Sequence, residues 1–265
     1  MTPPRTAPAV MVFAGLDPTG GAGLQADIEA IASHGCHACP VLTAVAVQNT
    51  RDVRQVIALD GEVVDTQART VLADVPIAAF KIGLLGSVEA LEVVVGILRA
   101  HPTAPVVFDP VLRAGGGTPL ADAQMVRAME ALLPLTTVLT PNAAEARALV
   151  PHAAGVDACG LALLRQGSEF VLITGADEAT PEVTNTLYGQ GRVVERFAWA
   201  RLEGKFHGSG CTLASSIAGL LAQGDEPAGA ILEAQEYTWE ALRRGYRIGA
   251  GQWIPNRLFW ARRDD

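Results

Sequence analysis

Short runs of consecutive apolar residues alternate along this chain with stretches in which apolar residues recur every three or four positions. The continuous runs are Val10 to Ala14, Pro40 to Val47, Ala78 to Ile82, Pro105 to Phe108, Thr137 to Thr140 and Phe170 to Ile173. Runs of this length suit strands buried on both faces. Helical spacing covers Leu24 to Ala32, Asp60 to Leu72, Ser87 to Ala100, Gly210 to Ala222 and Pro227 to Arg244, with Ser87 placed to cap its helix. Arg54 to Leu59 reads as another strand, and Val183 to Leu187 with Arg192 to Phe197 as a hairpin turning at Tyr188-Gly189-Gln190-Gly191. The repeated β-then-α order predicts an α/β fold, a mainly parallel central sheet with helices on both faces. No repeat or linker interrupts it, so one domain over residues 1–265 is expected. Residues 1–8 read as flexible, and the aromatic stretch Trp253 to Trp260 as packed on the body.

In such a sheet the strand C-termini share one edge, which is where ligands bind. The polar and glycine residues of this chain fall there. The first strand runs into Gly15-Leu16-Asp17-Pro18-Thr19-Gly20-Gly21-Ala22-Gly23, which matches neither a Walker A loop nor a GxGxxG fingerprint. Asp27 follows, expected in the first helical turn, where a carboxylate either steadies the helix dipole or meets a ligand. Gln48-Asn49-Thr50 ends the second long run; its amides can bond a heterocycle or simply make a turn. Asp109 stands at a strand tip, a place suited to metal or phosphate chemistry, and Arg113 to Gly117 after it reads as a mobile loop. Asn142 and Glu145 have the spacing of a capping box, while Glu145 alternatively holds magnesium, directly or through water.

Gly208-Ser209-Gly210-Cys211-Thr212, opening the helix to Ala222, is the most informative stretch. Small residues let the backbone turn tightly, and the unpaired N–H groups and dipole of a helix start favour an anion. A thiol in that first turn, Cys211, is expected to ionise more readily than a free one and so to serve as base or nucleophile. The plainer reading is a glycine turn before a buried helix, with Cys211 as a small core residue.

Composition narrows the classes. Hydrophobic residues at 49% are ample for a core, and a net charge of −8 argues against nucleic acid or an anionic membrane as partner. No apolar run reaches spanning length and Met1 to Pro8 lacks a secretory core. Four cysteines without a disulfide framework fit a reducing cytoplasm. Cys36-His37-Ala38-Cys39 has the spacing of a metal or redox pair but lacks a second pair, so a structural role is expected.

Taken together, the segment Ala14 to Asp27, Gln48-Asn49-Thr50, Lys81-Ile82-Gly83, Asp109-Pro110-Val111, Thr140-Pro141-Asn142 to Glu145 and His207 to Thr212 resemble the hydroxymethylpyrimidine/phosphomethylpyrimidine kinases of thiamine biosynthesis. These belong to the ribokinase-like superfamily, so the resemblance implies a ribokinase-like three-layer sandwich and two successive phosphorylations by ATP with Mg2+. It further implies that Gly15, Asp27 and Gln48 hold the pyrimidine, with Ala46, Leu84 and Val111 lining its pocket. Asp109, Asn142 and Glu145 would form the magnesium and phosphate group, Thr174 and Gly175 the nucleotide-contacting strand end, and Gly208, Ser209, Gly210 and Cys211 the anion hole. Cys211 stands where most of the superfamily carries an aspartate base. The chain departs from the family at Thr174-Gly175-Ala176, where Lys-Gly-Gly is frequent, at Gly204-Lys205-Phe206, and at Leu84, where Met is common; Lys205 or Arg113 is the candidate to replace the missing lysine. Family members are commonly homodimers. Pyridoxal kinase is the neighbouring alternative, disfavoured by Gln48-Asn49-Thr50. A binding protein without turnover is disfavoured by Asp109, Glu145 and the Gly208–Cys211 turn occurring together.

Overall fold

The structure is a computed structural model that describes residues 6–261. Of the stretch read as flexible, residues 1–5 lie outside the described residues, whereas the Pro8 carbonyl accepts the His37 N–H at 2.8 Å. The chain begins β1 (Ala9–Leu16), α1 (Gly23–Ser33), β2 (His37–Gln48), β3 (Val53–Ala58), α2 (Gly61–Leu72), β4 (Ile77–Ile82), α3 (Val88–Ala100) and β5 (Val106–Phe108). It continues α4 (Ala123–Met129), β6 (Val138–Leu139), α5 (Ala143–Leu149), α6 (Val156–Arg165), β7 (Phe170–Ile173), β8 (Glu182–Gly189), β9 (Arg192–Ala200), α7 (Ser209–Gln223) and α8 (Pro227–Arg243).

All nine strands form one sheet in the order β3-β2-β1-β4-β5-β6-β7-β8-β9. From β2 to β7 every pairing is parallel, and β3, β8 and β9 add on antiparallel at the two ends. The strand side chains alternate between two cores, as a period of two requires. Met11, Phe13, Phe80, Ile82 and Phe108 face α2 to α6, while Val10, Val12, Ala79, Val107 and Leu172 face α1, α7 and α8. This is the expected three-layer α/β arrangement.

Local chemistry accounts for most boundaries. Ser87 accepts the Ala90 N–H at 3.1 Å as the cap of α3. Gln190 (φ 53°) and Gly191 (φ 73°) are both left-handed, which gives the hairpin turn the twist its strands need and extends β8 through Gly189. Two helices went unread in the sequence pattern. The first, α4, is seven residues capped by Asp122. The second, α6, carries Gly160, where a Cβ would lie 2.5 Å from the Tyr188 ring, so it owes its place to close packing on β8. The Arg113–Gly117 stretch, read as mobile, closes on itself: Gly117 N–H reaches the Ala114 carbonyl at 2.8 Å, and Gln252 Nε2 donates to the Gly115 carbonyl at 3.0 Å. Cys36 is buried and its thiol points at the Gly219 carbonyl, and Cys39 is buried in β2. No described helix is long and apolar enough to cross a membrane.

Candidate active site

Because β1, β2, β4, β5, β6 and β7 run parallel, their C-terminal ends share one edge, and a cavity of about 810 Å³ opens there. That is the upper end of the size of small-molecule pockets, roughly 300–1,000 Å³. The register between β1 and β2 slips between Ala14 and Gly15, a bulge that turns the strand end toward the cavity. Gly15, Ala46, Gln48, Leu84 and Val111 line it, as do Asp109, Asn142 and Glu145. Thr174 and Lys205 also reach it, and so does the whole turn Gly208 to Cys211.

The turn is built as the spacing predicts. Gly208 is the N-cap of α7 in left-handed backbone (φ 80°), and a Cβ there would lie 2.0 Å from the Gly21 carbonyl oxygen. The Gly208 carbonyl accepts both the Thr212 N–H at 2.9 Å and the Thr212 hydroxyl at 2.7 Å. It is thereby turned into the helix, and the N–H groups of Ser209, Gly210 and Cys211 have no intrahelical acceptor. A Cβ at Gly210 would stand 3.6 Å from an Asp109 carboxylate oxygen, so the helix start and the tip of β5 face each other closely.

One expected contact is corrected. Asp27 is not in the first turn of α1 and does not line the cavity. It is fully buried, 2.8 Å from Lys81 Nζ, and accepts the Ser215 hydroxyl at 2.6 Å. Both partners sit on Oδ1 and the whole side chain is sealed from the cavity, so it supports the site from behind instead of touching a pyrimidine. Gly175 does not line this cavity but, with Thr174, an adjoining one of about 490 Å³; its N–H donates to Asn185 Oδ1 at 3.1 Å, and a Cβ would meet the Thr184 carbonyl at 2.4 Å.

Glu145 has a double role. Asn142 and Glu145 form the full capping box of α5, and the other Glu145 oxygen accepts the Leu112 N–H at 3.2 Å. Burial pushes the Glu145 carboxyl up, and the nearby Asp109 adds to it. Burial also raises Asp109, with Lys81 opposing and Asp27 adding. Two buried acids that raise their own proton affinity in this way suit a cation between them and a bound phosphate.

The expectation that Cys211 ionises readily is overturned. Burial pushes its thiol up to about 12; Lys81 opposes this, whereas Asp109 and Asp27 reinforce it. The side chain is only partly exposed, and these surroundings favour the neutral thiol.

Several residues had no role assigned from sequence. Lys81, on the α1/α7 face of β4, is fully buried and lines the cavity. Burial disfavours its charge, but Asp27, Cys211 and Asp109 together hold its pKa above the ordinary lysine value. A lysine inside an otherwise apolar run was the available signal. Asp17 and His207 are paired at 2.8 Å, with Gln48 Nε2 3.5 Å from the same ring nitrogen. Burial alone would raise Asp17, but hydrogen bonds from His207, Gln48 and the Thr19 amide outweigh it and hold the carboxyl well below the usual range. Asn185 and Gln235, bonded at 2.9 Å, form a buried polar wall whose partners are distant in sequence.

The polar groups of the chain gather at this edge, and the surrounding fold is that of the ribokinase-like kinases. More narrowly, the chain belongs to the phosphomethylpyrimidine kinase family, whose model matches residues 17–256. It is 38% identical over 256 residues to the hydroxymethylpyrimidine/phosphomethylpyrimidine kinase of Streptomyces coelicolor, covering 94% of each chain. The structure resembles an ADP complex of Bacillus subtilis pyridoxal kinase, with a TM-score of 0.87 at 25% identity over 97% of this chain and 99% of that one. It also resembles the phosphomethylpyrimidine kinase of Clostridium difficile, with a TM-score of 0.76 at 30% identity over 89% of this chain and 100% of the other.

Proposed function

We propose that this protein phosphorylates 4-amino-5-hydroxymethyl-2-methylpyrimidine and then its monophosphate, using ATP, in thiamine biosynthesis. The observation that carries the reading is the α7 N-terminus set against Asp109 in a cavity that also holds Gln48 among Ala46, Leu84 and Val111. The Gln48 amide offers both a donor and an acceptor to an aminopyrimidine edge, and the apolar residues take its ring. The Ser209, Gly210 and Cys211 amides would meet the negative charge on the transferring phosphoryl group, where fixed donors supply most of the rate enhancement. Thr174 and Lys205 stand at the nucleotide side.

Asp109 is the better magnesium ligand, because both Glu145 oxygens already accept backbone N–H groups. Magnesium sites of phosphoryl-transfer enzymes use one or two carboxylates together with the substrate phosphates, so these residues fit the ion, with Glu145 acting through water. When bound, the ion neutralises charge on the phosphates.

The test is a phosphorylation assay with ATP and magnesium that runs hydroxymethylpyrimidine, its monophosphate and pyridoxal side by side, with products resolved by mass. Diphosphate from the first two and little product from pyridoxal is expected. Pyridoxal turnover without a second phosphorylation would move the chain to vitamin B6 salvage, and no product from any substrate would make it a binding protein.

Cys211, neutral at rest, contributes here by shape and by facing the substrate hydroxyl. Cys211→Ser is therefore expected to keep kcat within about tenfold, below the ~10²–10⁴ that a general base supplies. A larger loss, with a parent kcat that climbs with pH between 7 and 9, would restore the proton-acceptor role.

A further inference from the structure

Arg257 lies in the C-terminal stretch, yet it is 1% exposed and is the largest fully buried side chain among the described residues. A buried guanidinium persists only where its donors are satisfied. Here Nε donates to Thr212 Oγ1 at 2.8 Å, Nη1 to Glu29 Oε2 at 3.2 Å and to the Gly20 carbonyl at 3.4 Å, and Nη2 to the Gly21 carbonyl. Its own carbonyl is held by the Ser33 hydroxyl at 2.9 Å and the Tyr237 hydroxyl at 2.6 Å, so α1 and α8 both anchor the residue.

These partners lie on two segments that border the cavity. Gly20 and Gly21 belong to the loop after β1. Thr212 passes the contact on, since the hydroxyl that receives Arg257 Nε donates in turn to the Gly208 carbonyl. At the closest point the two meet backbone to backbone, beside the Asp17–His207 pair: a Cβ on Gly208 would lie 2.0 Å from the Gly21 oxygen and 2.9 Å from Arg257 Nη2. Direct contact thus sets how closely the loop and the helix start approach, and Arg257 bonds both sides of that contact at once. It also leaves a fixed positive charge, shared with the partly exposed Glu29, behind the amides of Ser209 to Cys211.

We infer that Arg257 is a positioning residue for phosphoryl transfer, clasping the Gly20–Gly21 loop to the first turn of α7 so that the amide donors of that turn stay aligned. The inference rests on the kinase reading above. A planar fork is required, because a lysine ammonium has the charge but cannot reach Thr212 and both carbonyls together.

The parent chain is assayed first with hydroxymethylpyrimidine and ATP; failure there rejects the kinase reading and leaves the clasp without a reaction to serve. With an active parent, Arg257→Gln and Arg257→Lys are expected to lower kcat by about 10- to 100-fold, as for misplaced catalytic donors. KM for either substrate should move less than about threefold, since neither pocket touches Arg257. Arg257→Ala should regain part of its kcat on addition of guanidinium ion. Val94→Ala, a core change on α3 remote from the cavity, controls for lost stability: it should lower Tm while keeping kcat. Should Arg257→Gln fail to fold, the lysine variant and the guanidinium rescue still decide the matter. Parental kcat in a folded Arg257→Lys, or a loss confined to KM, would overturn the inference.

Discussion

Lys81→Met is expected to destabilise the protein by about 3–5 kcal/mol, because it leaves the Asp27 carboxylate buried without its counter-charge. Both side chains are fully buried, 2.8 Å apart, and Asp27 Oδ2 has no hydrogen-bond partner among the described residues. Two charges removed from water are compensated chiefly by each other, so losing one is worse than losing both. The double variant Lys81→Met/Asp27→Ala should therefore regain most of the lost stability, and denaturant unfolding of the four proteins of the cycle measures the coupling. Turnover should not return with it. Lys81 is the cation that faces Asp109 and Cys211, and removing it takes positive charge from beside the transfer seat. A single Lys81→Met protein as stable as the parent would show that the pair is solvated in practice. A double variant with parental kcat would reduce Lys81 to a packing role.

The second large effect is expected at Gly208. An alanine there must occupy left-handed backbone, at about 1–2 kcal/mol, and its Cβ meets the Gly21 carbonyl oxygen, which is main chain and cannot rotate aside. The loop and the helix start must separate. The Ser209 to Cys211 amides then lose their alignment, and kcat for Gly208→Ala should fall by about 10²–10³, the range for losing a fixed anion-hole donor. KM for the pyrimidine should change little, since Gln48, Ala46 and Leu84 are untouched. Gly35→Ala is the matched control: Gly35 is also left-handed (φ 70°), but a Cβ there has nothing within 4 Å. It should lose only the left-handed backbone cost and retain kcat. Equal losses of kcat in the two variants would mean that the effect is general loosening, not displacement of the donors.

The parallel sheet, the helices packed on it and the shared edge of strand ends were legible in the sequence because each depends on short-range pattern. Apolar runs can only be doubly buried strands or helix cores, and glycine clusters at their ends mark turns. Gly208 to Cys211, Asp109 and the capping box of Asn142 and Glu145 were readable for the same reason: each is defined within a few residues of itself. The short helices α4 and α6 were not, since seven and ten residues carry too little periodicity against the surrounding apolar composition.

Roles that depend on who sits opposite could come only from the tertiary structure. Asp27 has the same neighbours in sequence whether it faces a ligand or a lysine; the packing of α1 on β1 and against α7, which lies over β4, puts Lys81 against it. Cys211 stands at a helix start in either view, but only the folded surroundings supply the desolvation and the nearby Asp109 and Asp27 that favour the protonated thiol. Arg257 is separated by 45 residues from Thr212 and by 236 from Gly21, and no local pattern announces that it joins them. Backbone conformation and burial tendency are properties of neighbouring residues, so the sequence determined them. Charge compensation, proton affinity and the approach of the Gly20–Gly21 loop to the start of α7 arise from contacts across the chain, and folding alone decided those.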